Sequence, residues 1–208
     1  MSLATLFYIH DPMCSWCWAY RPVHDELKSK LPTSVSWKNL LGGLAPDNDQ
    51  LMPDETRTMV MSHWRNIQQK LGTRFNFDFW ERCSPRRSTY PACRAVLAAA
   101  RFNAEEEMTD AIQRAYYLRA MNPSDDATNV ELAGELGLPA ESFAEILGSK
   151  EIHQGLLNEI SAARSLGVSS FPSLVLLQDK SAMRIPHDYH STEPTMRAIS
   201  SLIDTNKN

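Results

Sequence analysis

The sequence predicts an α/β fold, a sheet core with a βαβ start and a ββα finish, divided by a large inserted helical domain. Strand-like runs occur only near the two ends, helical periodicity fills the stretch between them, and two cysteines stand where the first strand gives way to the first helix. The predicted units are residues 1–44 with 166–208 for the sheet domain and 45–165 for the insertion. With 43% hydrophobic and 22% charged residues and no long apolar run, the 208-residue chain has the composition of a soluble globular protein, not a membrane-spanning one. A net charge of −4 supplies no basic field for phosphates, so no nucleic-acid or membrane partner is expected.

The first strand is read at Leu3 to Ile9, an apolar and aromatic run stopped by Asp11-Pro12. A helix follows from Cys14 to about Leu31, with Pro22 expected to kink or restart it and Pro32 to end it. Val35 to Leu41, closed by Gly42-Gly43, is the second strand. In the insertion, Val60, Trp64, Ile67 and Leu71 share one helical face. Further helices are expected at Pro91–Phe102, Glu105–Met121, Ser124–Leu136, Ala140–Leu147 and Glu151–Leu166, the last capped by Gly167. Ser173–Leu177 and Ala182–Pro186 read as a hairpin, and Thr192–Ile203 as the last helix. This order is that of a thioredoxin-like fold split by a helical insertion.

Cys14-Ser15-Trp16-Cys17 places two thiols one helical turn apart at a helix start. Free backbone N–H groups and the positive end of the helix dipole favour an anion there, so Cys14 is expected to ionise more readily than an ordinary thiol. Cys14 is then the nucleophile of a disulfide exchange and Cys17, facing inward, the resolving thiol. The same spacing also occurs in zinc knuckles. Cys83 and Cys93, ten positions apart with Pro85 and Pro91 between, do not supply a second knuckle, and His10 and His24 read as hydrogen-bonded or solvated histidines, so no metal is expected.

Further along, Phe171-Pro172 precedes the hydrophobic run from Ser173 to Leu177. A trans proline opening a strand is the commoner case, but beside an upstream CxxC a cis bond is the better expectation, exposing the Phe171 backbone to an extended substrate.

The segment Tyr8-Ile9-His10-Asp11-Pro12-Met13-Cys14-Ser15-Trp16-Cys17-Trp18 resembles the active site of the DsbA-like thiol–disulfide oxidoreductases, especially their cytoplasmic FrnE-type branch. Gly167-Val168 with Phe171-Pro172 resembles that family's cis-proline loop, and Tyr90 to Arg101 a helix of its inserted domain. The resemblance implies a thioredoxin fold with Cys14 as nucleophile, Cys17 as resolving thiol and Pro172 as cis-proline. Ser15 stands where FrnE-type members often have proline, and Trp16 where DsbA has histidine, so a less acidic thiol and a milder potential than those of DsbA are expected.

Substrates are expected to be protein or small-molecule thiols and disulfides, bound against Ser15, Trp16, Phe171 and Pro172. No dissociable redox cofactor is expected, with glutathione left open as a co-substrate. Cys83 and Cys93 are a candidate second redox pair; alternatively Cys93 packs as a small apolar residue and Cys83 is a loop thiol, and Arg86-Arg87 read by default as a solvated charge pair, with raising the Cys83 thiolate fraction as the alternative. Trp18 and Tyr20 rim a groove or, more commonly for such positions, serve the core. The N-terminus lacks the basic region and cleavage site of a secretory signal, so a cytoplasmic protein, monomer or homodimer, is expected. A rival on the same fold is the glutathione S-transferase kappa and 2-hydroxychromene-2-carboxylate isomerase type, which uses one Ser or Cys toward glutathione; Cys17 counts against it.

Overall fold

The structure, a computed structural model, describes residues 4–205, with side chains to 203. Four strands form one sheet in the order β2-β1-β3-β4. β1 (Ala4–His10) lies in its interior, parallel to β2 (Val35–Leu41) and antiparallel to β3 (Ser173–Gln178), which pairs in turn with β4 (Ser181–Ile185). A strand flanked on both sides must be apolar on both faces, which accounts for the near-continuous Leu6-Phe7-Tyr8-Ile9 run.

The two faces bury different partners. Leu6 and Tyr8 of β1, with Leu174 and Leu176 of β3, pack against Tyr20, Val23 and Leu27 of α1 (Ser15–Lys30) and Ile199 of α9 (Glu193–Thr205). Ile9 and Val175 face the other way, toward Ala163 of α8 (Lys150–Ser165) and Val168. The alternation follows from the two-residue period of a strand. α1 runs uninterrupted through Pro22, so the expected restart does not occur. Burial of the Tyr20, Val23 and Leu27 stripe outweighs the hydrogen bond that proline cannot donate.

Between β2 and β3 the chain is helical: α2 (Asp54–Leu71), a four-residue α3 (Phe79–Arg82), α4 (Tyr90–Ala100), α5 (Glu105–Leu118), α6 (Asp126–Glu135) and α7 (Ala140–Leu147), then α8. α3 was not foreseen, because four residues are too few to show a period. α4 is the centre of this block: small side chains at Ala92, Cys93, Ala95, Ala98 and Ala99 are fully buried and let neighbouring helices approach. Trp64 of α2 is buried in an aromatic cluster with Phe75, Phe79, Trp80, Tyr116 and Tyr117. Helix ends follow local chemistry. Ser149 accepts from the Ile152 N–H to start α8, and Gly72 and Gly167, at φ 68° and 75°, turn the chain out of α2 and α8. Among the described residues no helix is long and apolar enough to cross a membrane.

Candidate active site around Cys14 and Cys17

β1 ends at His10, and the next four residues make a hydrogen-bonded turn that delivers Cys14 to the head of α1. The Asp11 carboxylate accepts the Met13 N–H at 2.8 Å while the Asp11 carbonyl accepts the Cys14 N–H at 3.0 Å. Cys14 occupies the N-cap in extended conformation (φ −82°, ψ 117°). The thiol therefore stands where a capping oxygen would, and the unpaired N–H groups of the first turn are turned toward it.

Cys14 and Cys17 are not bonded to one another. Cys17 is fully enclosed, whereas Cys14 keeps 7% of its surface in solvent. Hydrogen bonding from the Cys17 thiol is the main influence that lowers the Cys14 pKa below the ordinary thiol value; burial opposes it, and the backbone N–H groups of Cys17 and Trp16 reinforce it. Burial, then the hydrogen bond to Cys14, pushes Cys17 well up. The two thiols are thus differentiated by environment, one with its pKa lowered and a small part of its surface in solvent, the other with its pKa raised and fully enclosed.

In its protonated form the Cys14 thiol donates to the Phe171 carbonyl at 3.5 Å. The Phe171–Pro172 peptide bond is cis. Phe171 and Pro172 thus join Cys14 and Cys17 in one locality although 157 positions separate Phe171 from Cys14. Ser15, Trp16 and Phe171 line a groove of about 300 Å³ that opens beside Cys14. Trp16 is braced edge-on by Tyr189 at 5.3 Å. Trp18 turns away, stacked on Tyr117 and donating its indole N–H to the Arg74 carbonyl at 3.1 Å, and Tyr20 is fully buried in the sheet core.

Cys83 and Cys93 have separate partners. Cys83, at the end of α3, donates to the Ala120 carbonyl at 3.1 Å, and Cys93, buried in α4, donates to Asp11 Oδ2 at 3.5 Å. Burial raises both pKa values. Arg86 and Arg87 do not increase the Cys83 thiolate fraction as the sequence suggested: Arg86 is bound to Asp125, and both arginines line the groove beside Cys14. His24 bonds Asp25 at 2.8 Å, while His10 is buried against the Tyr8 ring at 4.9 Å with neither ring nitrogen hydrogen-bonded. Among the described residues, no three His, Cys, Asp or Glu side chains converge to hold a metal ion.

Sequence reasoning gave Asp11 no role of its own, reading it as a strand stop and as one position of the active-site-like segment. It is wholly buried, and Oδ2 alone accepts from the Leu44 N–H at 2.7 Å, the Thr89 hydroxyl at 2.6 Å and the Cys93 thiol. Burial raises its pKa against the pull of these donors. Asp11 fastens the Cys14 turn to the loop after β2 and to the start of α4 (Tyr90–Ala100).

Residues 6–188 match the DSBA-like thioredoxin domain family. The chain belongs to that family. Its mixed sheet and helical insertion are those of a DsbA-like thiol–disulfide oxidoreductase fold. A crystal structure of a candidate protein disulfide isomerase from Nitrosomonas europaea superposes with a TM-score of 0.84 at 28% identity, covering 97% of this chain and 98% of that one. The cytosolic disulfide reductase DsbM from Pseudomonas aeruginosa superposes at 0.77 with 25% identity, covering 95% and 98%, and a structure of DsbM with GSH at 0.74 with 23% identity. The ClpXP adapter protein SpxH of Bacillus subtilis is 22% identical over 190 residues, 88% of this chain and 62% of that protein. The chain therefore spans somewhat under two thirds of this curated relative.

Proposed function

We propose that this DsbA-like protein exchanges disulfides through Cys14 and Cys17, as an oxidoreductase or isomerase acting in the cytoplasm. The observation that carries the reading is the unequal pair: an N-cap thiol with lowered pKa, partly in solvent, hydrogen-bonded to an enclosed thiol with raised pKa.

In the reducing direction the Cys14 thiolate attacks one sulfur of a substrate disulfide, forming a mixed disulfide and expelling the other sulfur as a thiolate. Cys17 then gives up its proton and attacks the Cys14 sulfur. The second substrate thiolate leaves, the Cys14–Cys17 disulfide forms, and two electrons have passed from protein to substrate. The reverse sequence oxidises a dithiol, and resolution by a third substrate thiol isomerises. The Phe171 carbonyl and the groove walls Ser15 and Trp16 receive the substrate chain next to Cys14. Glutathione serves in this reading as a co-substrate that returns the pair to its resting state.

Turnover of insulin disulfides and of scrambled ribonuclease tests the reading. Cys14→Ser should abolish both, and Cys17→Ala should accumulate a mixed disulfide at Cys14 visible by intact mass. Full activity in Cys14→Ser would overturn it.

A further inference from the structure

The groove beside Cys14 carries a charge pattern opposed to that of the molecule. The chain as a whole is acidic, with a net charge of −4. Yet the groove is lined by Arg86, Arg87 and His63 and by no Asp or Glu. Arg86 is neutralised from outside the groove: its Nη2 binds Asp125 Oδ1 at 2.5 Å and the Ser124 carbonyl at 2.7 Å. Arg87 differs. It is half-buried, and among the described residues it has neither a carboxylate within ion-pair distance nor a hydrogen-bond acceptor, although its charge is felt at Tyr116, which lines the same groove. A half-buried guanidinium with empty donors beside a nucleophile is a prepared anion site, because five donors in a planar fork fit a carboxylate. At about 300 Å³ the space is at the small end for ligand pockets.

Resting on the disulfide-exchange reading above, we infer that Arg87 makes the Cys14 groove selective for small thiols and disulfides that carry a carboxylate a few bonds from the sulfur. The thiolate of Cys14 attacks the near sulfur while the carboxylate is held on Arg87. The far half leaves as a thiolate, and Cys17 completes the exchange as for any substrate. Selection acts by holding the reacting sulfur in line, not by changing the chemistry.

Three symmetrical disulfides of closely similar length differ in their end groups: 3,3′-dithiodipropionate is anionic, bis(2-hydroxyethyl) disulfide neutral and cystamine cationic. The second-order rate constants with which each oxidises the reduced protein in a single turnover are divided by the rate constants of exchange with dithiothreitol, which removes differences in leaving-group reactivity. The expected order is anionic, neutral, cationic, with roughly tenfold between the extremes at low ionic strength, the size of one charge-assisted hydrogen bond. Arg87→Ala should bring the anionic-to-cationic ratio close to one, Arg87→Lys should retain part of it, and Arg87→Glu should invert it. Ratios taken within one variant are unaffected by loss of folded protein. A flat or reversed order in the wild type, or a ratio unmoved by Arg87→Ala and Arg87→Glu, overturns the inference while leaving disulfide exchange intact. Failure of the wild type on all three and on insulin would instead overturn the underlying reading.

Discussion

The Thr89 hydroxyl donates to Asp11 Oδ2 at 2.6 Å, tying the turn before Cys14 to the residue that precedes α4 across 78 positions of chain. The same carboxylate also holds the Met13 and Leu44 N–H groups. Asp11→Ala leaves these buried donors without acceptors and should destabilise the protein by about 3 kcal/mol. Urea denaturation measures the loss, and a change below about 0.5 kcal/mol would show that the carboxylate is dispensable.

Cys14 should be the thiol alkylated first in the reduced protein, with a rate that rises with pH to a midpoint below the ordinary thiol value of about 8.5. The sign follows from its lowered pKa, to which the Cys17 thiol contributes most. Cys17→Ala removes that donor, so the midpoint should move upward. Iodoacetamide rates followed by mass spectrometry check both, and an unchanged midpoint in Cys17→Ala would refute the coupling.

His10 supplies an acid sensitivity. Burial, with the charges of His24 and Arg21, lowers its pKa to about 3. An unfolded chain takes up a proton on this ring below about 6.5, which the fold refuses, so stability falls as pH drops from there toward 3, by at most about 1.4 kcal/mol per unit. His10→Phe keeps a ring against Tyr8 and removes the titration. Its stability should decline less between pH 7 and pH 5 than that of the wild type, as read from melting temperatures.

Gly42 is a position where shape controls the site. A Cβ there would lie 1.9 Å from the Phe171 ring, so the ring must move on the residue whose carbonyl faces Cys14. Gly42→Ala should lower kcat/KM for disulfide substrates by about tenfold, a usual penalty for misplacing a substrate-facing group. Activity equal to the wild type would show that Phe171 yields without consequence.

Much of the sheet was legible because its strands are apolar runs with clear stops, Asp11-Pro12 after β1 and Gly42-Gly43 after β2. Cys14 and Cys17 were legible because their spacing is itself the signal. The fastening role of Asp11 was not, since its partners at Leu44, Thr89 and Cys93 are scattered and carry no common pattern. Arg87 read by default as one of a solvated charge pair near Cys83 in the chain; tertiary packing places it on the wall of the Cys14 groove, which chain proximity does not show. Pro22 shows the same limit from the other side, a local helix breaker overruled by the face its helix buries.

The strand that leads into Cys14 sits between β2 and β3, so one of its two hydrogen-bonded neighbours is made from residues 173–178. A chain emerging from the ribosome can pair β1 with β2 early, but the other flank and the Phe171 carbonyl arrive only after the helical stretch that ends with α8 has been made. Cys14 therefore meets the carbonyl that receives its thiol proton only after the helical block has been made, and a product terminated before residue 171 would carry its CxxC without that partner.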